Sequence, residues 1–494
     1  MLRRILILFF LFSPAFAFSQ NSTASVVGLK KFSPEALRSD LHLLKKILEA
    51  NHPSLYWYAP RHSLDSAFSI ALEGISDSMN EITFKNRVAS FISEIRCGHT
   101  SVRSSRRYSK YAIKNRFPLF PLNIKLWQDS MVVLNPLLGK DAPLPRGTRL
   151  LTINGRDARF FIDTFYRHIS SDGWGKQFST QLVSNNFGAF YKNILGLDSV
   201  YQIAYINPDG VNADTIVRNI FPSERTSQEK SSRDSTPPLS KRERKKLLLA
   251  ETRLLQIDSA SQTAFIRLGS FSGSGTASFI RKSFRKIRNS SISNLVIDLR
   301  SNGGGKVSNS TLLTRYLSNH AFRIADTVVR NTAQLKYKKY IQEAWSYQIG
   351  LLFSGRRLSD GMFHFTRFER KIWQPRKRNH FDGNVFLVQG GFSFSATTLL
   401  LGELKGQKNV RLVGEETGGA YYGNSAVLLP NIILPHSKLR ISLPLFRLVA
   451  NSHRPKGVGI LPDIEVPPSS EAIRRGFDPK MERVKQLIAE TKSN

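Results

Sequence analysis

The segment from Val385 to Leu404 restricts the fold of this chain more than any other. Val385-Phe386-Leu387-Val388 is a short apolar, β-branched run of the kind that forms a buried strand. Gly390-Gly391-Phe392-Ser393-Phe394-Ser395 follows, and then Leu399, Leu400, Leu401 and Leu404 recur with helical rather than alternating spacing. A core strand is thus expected to hand over to a helix through a glycine turn that ends on a serine. At such a junction the hydroxyl can face a cleft, and the free N–H groups at the helix start favour nearby negative charge. An acyl-transfer nucleophile beside an oxyanion site has this layout. A serine that only caps a helix has it too and is commoner, so this segment alone does not choose between them.

Two further segments repeat the pattern. Asn294-Leu295-Val296-Ile297-Asp298-Leu299-Arg300 reads as a core strand that runs into Ser301-Asn302-Gly303-Gly304-Gly305. Three glycines let the backbone turn sharply and bring bare N–H groups close to a ligand, or simply make a flexible connection. Val410-Arg411-Leu412-Val413 is a third strand, ending in Gly414-Glu415-Glu416-Thr417-Gly418-Gly419. The four segments DLRSNGGG, GGFSFSATTLL, VGEETGG and, last, Gly459-Ile460-Leu461-Pro462-Asp463-Ile464-Glu465-Val466 come in an order that resembles the C-terminal processing (tail-specific) and tricorn-core serine peptidases.

That resemblance implies specific roles. Ser395, second serine of an S-x-S pattern, matches the nucleophile, and Ser393 shapes the turn. The N–H of Ala396, with one from Gly303 or Gly304, would form the oxyanion hole. The tail-specific branch takes its base from a lysine shortly after the V-G-E-x-T turn, but here that position is Ala420. The tricorn-like branch takes a histidine from an N-terminal helical region, and Cys97-Gly98-His99-Thr100 stands where that branch carries D-G-H-T. His99 is then the expected base, since a neutral imidazole accepts a serine proton near neutral pH. Lys405 and Lys408 are the fallback bases. Gly98 replaces the serine of the tricorn tetrad, and Lys456 stands where the orienting glutamate belongs. Either another group orients His99, or the chain is a catalytically impaired, peptide-binding relative.

The 494 residues, 41% of them hydrophobic, suffice for several cores. Met1-Leu2-Arg3-Arg4, the apolar run Ile5 to Phe12 and Ala15-Phe16-Ala17 read as a secretory signal peptide over residues 1–20, implying a periplasmic or extracellular protein. Cys97, the only cysteine, rules out an internal disulfide and reads as a small buried hydrophobe rather than a thiol nucleophile. The formal charge of +35 is large for an enzyme and suits a generally basic proteome or an anionic envelope surface. No nucleic-acid module accompanies it, and no metal-ligand cluster or phosphate loop is evident, so neither metal nor cofactor is expected.

The expected organisation is multidomain α/β. Residues 29–115 read as an N-terminal helical bundle: Ser33-Pro34 starts a helix ending near Asn51, Leu64 to Ile75 mark a second, and Thr83 caps a third that stops at Gly98. Residues 117–222 change to alternating patterns, and Pro145 to Gly155 resembles the G-x-x-(I/L)-L-x-I-N-G segment of PDZ domains, which bind peptides at a sheet edge. No carboxylate-binding loop is apparent there. Residues 223–250 are a charged linker, and residues 255–468 alternate strands and helices as an α/β core, which in the resembled family is ClpP/crotonase-like. Residues 320–380, rich in aromatic and basic side chains, read as an elaboration near the cleft, and 469–494 as a C-terminal tail or helix.

Overall fold

The computed structural model describes residues 30–115, 117–136, 144–207, 209–221 and 251–493, with residues 240, 243, 247 and 249 between them. The expected signal peptide and most of the expected linker lie outside these residues.

Six strands make the central sheet, in the order Ile464–Glu465, Val410–Gly414, Asn384–Gln389, Asn294–Asp298, Thr263–Leu268, Arg253–Asp258. All neighbours pair in parallel except the last two, which are antiparallel. Parallel strands are covered on both faces, which is why these runs are continuously apolar. Leu295, Ile297, Val385, Leu387 and Leu412 face helices Thr276–Arg288, Val307–Leu317 and Ala396–Leu404. Val296, Phe386, Val388 and Val413 face the other way and meet Val484 and Ile488 of helix Pro479–Ser493. Of the tail or helix expected over 469–494, the helix forms and completes the core. In the central pair Ile297 lies beside Leu387 and Asp298 beside Val388. This register brings the two glycine loops, Ser301–Gly305 and Gly390–Ser395, out of the same edge side by side.

The three N-terminal helices form over Pro34–Asn51, Arg61–Glu73 and Glu81–Ser93. The third departs from expectation at both ends. Asn80, not Thr83, caps it, because its side-chain oxygen takes the N–H groups of Ile82 and Thr83. It stops at Ser93, and the chain reverses through Arg96 at a φ of 54° before Gly98. Nor do the helices close on one another as a free bundle. Leu37, Leu41, Phe84 and Ile92 share one apolar cluster with Val328, Ile432, Ile441, Phe446 and Leu448. Three short helices cannot bury their stripes alone, and strands from the 320–380 and 423–449 regions supply the second layer.

Residues 122–218 form a five-stranded antiparallel sheet in sequential order, Leu122–Trp127, Ser130–Pro136, Arg149–Ile153, Val200–Ile206 and Asn212–Arg218. Helices Ala158–Tyr166 and Gln177–Phe190 pack on it through Phe161, Phe165, Val183 and Phe187. Among the described residues no helix is long and apolar enough to cross a membrane.

Candidate active site

Ser395 sits at the start of helix Ala396–Leu404 with φ 56° and ψ −120°. An L-residue rarely adopts this conformation, which costs on the order of 1–3 kcal/mol. Neighbouring bonds enforce it. The Ser393 hydroxyl donates to the Leu299 carbonyl at 2.9 Å and accepts from the Gly390 N–H at 3.2 Å. The N–H of Phe394 and the hydroxyl of Thr397 both donate to the Asn302 carbonyl. Ser393 is thus the anchor of the turn, and Ser395 is the serine left free to project from it.

His99 arrives from the far end of the sequence. Its Nε2 lies 3.0 Å from Ser395 Oγ. Three anchors place the loop that carries it. The Gly98 N–H donates to Asp172 Oδ1 at 2.8 Å. The Gly173 N–H donates to the Arg96 carbonyl at 3.0 Å. Thr100, next to His99, is held by the wholly buried His52. The Ser54 N–H donates to His52 Nδ1, so the ring proton is on Nε2, which donates to Thr100 Oγ1 at 2.8 Å. Burial lowers the His52 pKa from 6.5 to about 3.

An expected consequence concerns acid stability. The folded protein keeps His52 neutral down to about 3, whereas the unfolded chain takes up the proton near 6.5. The stability from this residue is full above 6.5 and drains away as pH falls from there toward 3. The melting temperature should therefore fall across this window, and more shallowly in His52→Gln; parallel curves for the two proteins would remove His52 from the account.

The two glycines offered as oxyanion donors differ. The Gly304 N–H donates to Asn302 Oδ1 at 3.0 Å. Its expected role as donor is therefore corrected: the group is already engaged. Gly304 has φ 96°, and a Cβ there would lie 2.8 Å from Ser395 Cβ and 2.9 Å from the Ala396 nitrogen. It is the residue that lets the two loops touch. The N–H groups of Gly303 and Ala396 have no partner among the described residues. Asn302, fully buried and also donating to the Leu268 carbonyl, is a supporting residue that the sequence did not reveal.

The alternative bases fall away on geometry. Ala420 is buried and bridges to Gly459. Lys405 pairs with Asp463 at 2.7 Å, and Lys408 is exposed in the following turn. Cys97 is buried, and burial pushes its thiol up to about 11, so it stays protonated. Lys456 does not face His99: its Nζ donates to the Trp57 carbonyl and lies over the rings of Trp57 and Tyr58. The carboxylate near His99 is instead Asp172, whose Oδ1 is 3.9 Å from His99 Nδ1. It belongs to Asp172-Gly173-Trp174-Gly175, a loop wedged between the His99 loop and Gly457, to which the Trp174 N–H donates at 2.8 Å. The only sequence signal for it was that glycine-rich spacing, which does not say what it faces.

Beside Gly98 opens a cavity of about 620 Å³, walled by apolar Ile92, Val102, Phe178 and Phe190 and also by polar Lys85, Asn86, Arg103 and His168. Phe178 reaches the nucleophile turn through Phe394, ring centres 5.0 Å apart, and Phe394 meets His99 at 5.1 Å. On the far side of helix Gln177–Phe190, the edge of strand Leu122–Trp127 is closed. The Ser184 hydroxyl bonds both the N–H and the carbonyl of Leu126, and Lys125 donates to Gln181.

Residues 262–466 match the sequence model of peptidase family S41. No curated protein matches the chain. Among solved structures, mature CPAF aligns with a TM-score of 0.62 at 14% identity, over 92% of this chain and 97% of that one. A serine-to-alanine mutant of CPAF aligns with a TM-score of 0.66 at 13% identity, over 93% and 98%. The photosystem II D1 C-terminal processing protease aligns at 13% identity over 89% and 97%, with a TM-score of 0.39. The CPAF comparisons show a shared multidomain α/β fold.

Proposed function

We propose that this chain, whose residues 262–466 match the sequence model of peptidase family S41, is a serine peptidase that cleaves peptide bonds with Ser395 as nucleophile and His99 as base. The observation that carries this reading is the 3.0 Å contact between His99 Nε2 and a serine Oγ on strained backbone. Ser395 Oγ attacks the substrate carbonyl carbon while its proton passes to His99 Nε2. The oxyanion is held by the N–H groups of Ala396 and Gly303. His99 returns the proton to the leaving amine, and water, deprotonated by the same imidazole, then releases the acyl group and restores the Ser395 hydroxyl.

The substrate is a peptide or protein, and the cavity beside Gly98, lined by both apolar and polar side chains, is large enough to take one of its side chains. The five-stranded unit over 122–218 is PDZ-like in this proposal, the helical region and the sheet flank a ClpP/crotonase-like core, and a signal peptide over residues 1–20 exports the protein to a periplasmic or extracellular location. A non-catalytic peptide-binding scaffold finds less support. The strand edge at Leu126 that would receive a peptide is occupied by Ser184.

A fluorophosphonate probe tests the assignment. Folded protein should be labelled at Ser395 and at no other serine, and Ser395→Ala should not label. Absence of labelling in folded protein would leave the scaffold as the better reading.

A further inference from the structure

For His99 Nε2 to accept the Ser395 proton, the neutral ring must carry its hydrogen on Nδ1. That Nδ1 is buried and has no hydrogen-bond partner among the described residues. A buried polar group left unpaired costs about 1–3 kcal/mol, and a buried carboxylate oxygen left unpaired costs more. Asp172 presents such an oxygen: its Oδ2 is likewise buried and unpartnered, with the side chain 2% exposed. The two unsatisfied groups belong to neighbouring side chains: Asp172 Oδ1, which already takes the Gly98 N–H and can accept a second hydrogen, lies 3.9 Å from His99 Nδ1, and Oδ2 is the other oxygen of the same carboxylate. Closing that gap to a normal hydrogen bond takes about 1 Å, well within the tightening that catalytic contacts show when substrate binds. The backbone already fixes the approach, because Asp172 Oδ1 holds the Gly98 N–H and the Gly173 N–H holds the Arg96 carbonyl. Tyr58 adds a third sign. Its hydroxyl is also buried and unpartnered, and it is held protonated first by burial and then by the negative charge of Asp172.

We propose that Asp172 is the positioning residue that orients His99 and stabilises its imidazolium, doing from the loop between two helices of the 122–218 unit what Lys456 cannot do from the Gly457 loop. This rests on His99 being the base. It makes the peptidase core depend on the neighbouring unit for a complete site. Loss of charge at Asp172 should act on turnover and leave substrate binding in place.

Asp172→Asn separates orientation from scaffolding. Asparagine keeps an oxygen for the Gly98 N–H, so the loop stays anchored, but it removes the negative charge that stabilises the imidazolium and puts an N–H₂ group in place of the unpartnered Oδ2. The expected result is a fall of about 10³-fold to 10⁴-fold in kcat with KM within about threefold of the parent. Asp172→Ala should be no better, and the melting temperature of the asparagine variant should stay close to the parent's. A purely structural Asp172 would be rescued by asparagine, so parental kcat in Asp172→Asn alongside a dead His99→Ala would overturn the proposal. Parental kcat in His99→Ala would instead overturn the base assignment on which it rests.

Discussion

His99→Ala should be as inactive as Ser395→Ala, each losing on the order of 10⁵-fold or more in kcat, and the double variant should lose no more than either. The two side chains act as one unit. Their contact at 3.0 Å is the only route for the serine proton among the described residues, because Lys405 is bound to Asp463 and Ala420 carries no titratable group. Without His99 the hydroxyl stays protonated, and without Ser395 the imidazole has nothing to activate. Peptide turnover by the three variants, with melting curves to show that each folds, reads the effect directly. Additive losses in the double variant would mean that the two residues work independently, and the pairing would have to be abandoned.

Gly304→Ala should lower kcat by a hundredfold or more while Gly303→Ala stays near the parent rate. The difference comes from space and backbone. A methyl group at Gly304 would fall 2.8 Å from both Ser395 Cβ and the Phe394 carbonyl oxygen, at a φ of 96° that L-residues rarely adopt. The nucleophile or the Ala396 N–H must then move, and losing one oxyanion donor costs about a hundredfold to a thousandfold. A methyl group at Gly303 meets nothing within 4 Å and leaves the N–H in place. Both variants should bind substrate with little change in KM. Equal rates for the two alanine variants, both folded, would show that the glycine loop is only a connection and does not shape the oxyanion site.

Much of this site was legible in residue order. The strands ending at Asp298, Gln389 and Gly414, each followed by glycines, announced themselves because burial on both faces demands unbroken apolar runs and the turns after them demand glycine. Ser395 stood out for the same local reason, and His99 for its place in Gly98-His99-Thr100. The N-terminal helices were visible in their spacing down to the Ser33 cap. The partner that completes their core was not, because periodicity shows that a face is buried and not what buries it. Phe446 and Ile441 lie hundreds of residues away from the helices they cover.

The chain's order of residues by itself determined the strand–glycine–helix framework, since each part depends on neighbours within a few positions, while the roles of Ser395 and His99 came from the resemblance of their motifs to a peptidase family. Tertiary structure alone decided that Gly304 spends its N–H on Asn302 while Gly303 keeps its own free, and that the Ser395 backbone takes a positive φ. It alone decided that the carboxylate beside His99 is Asp172, 74 residues along the chain from the Gly98 that it holds. Such pairings follow from the path of the folded backbone, because a side chain's partner is set by distance in space, and loops as unpatterned as Ser171 to Gly175 carry no periodicity from which that path can be read.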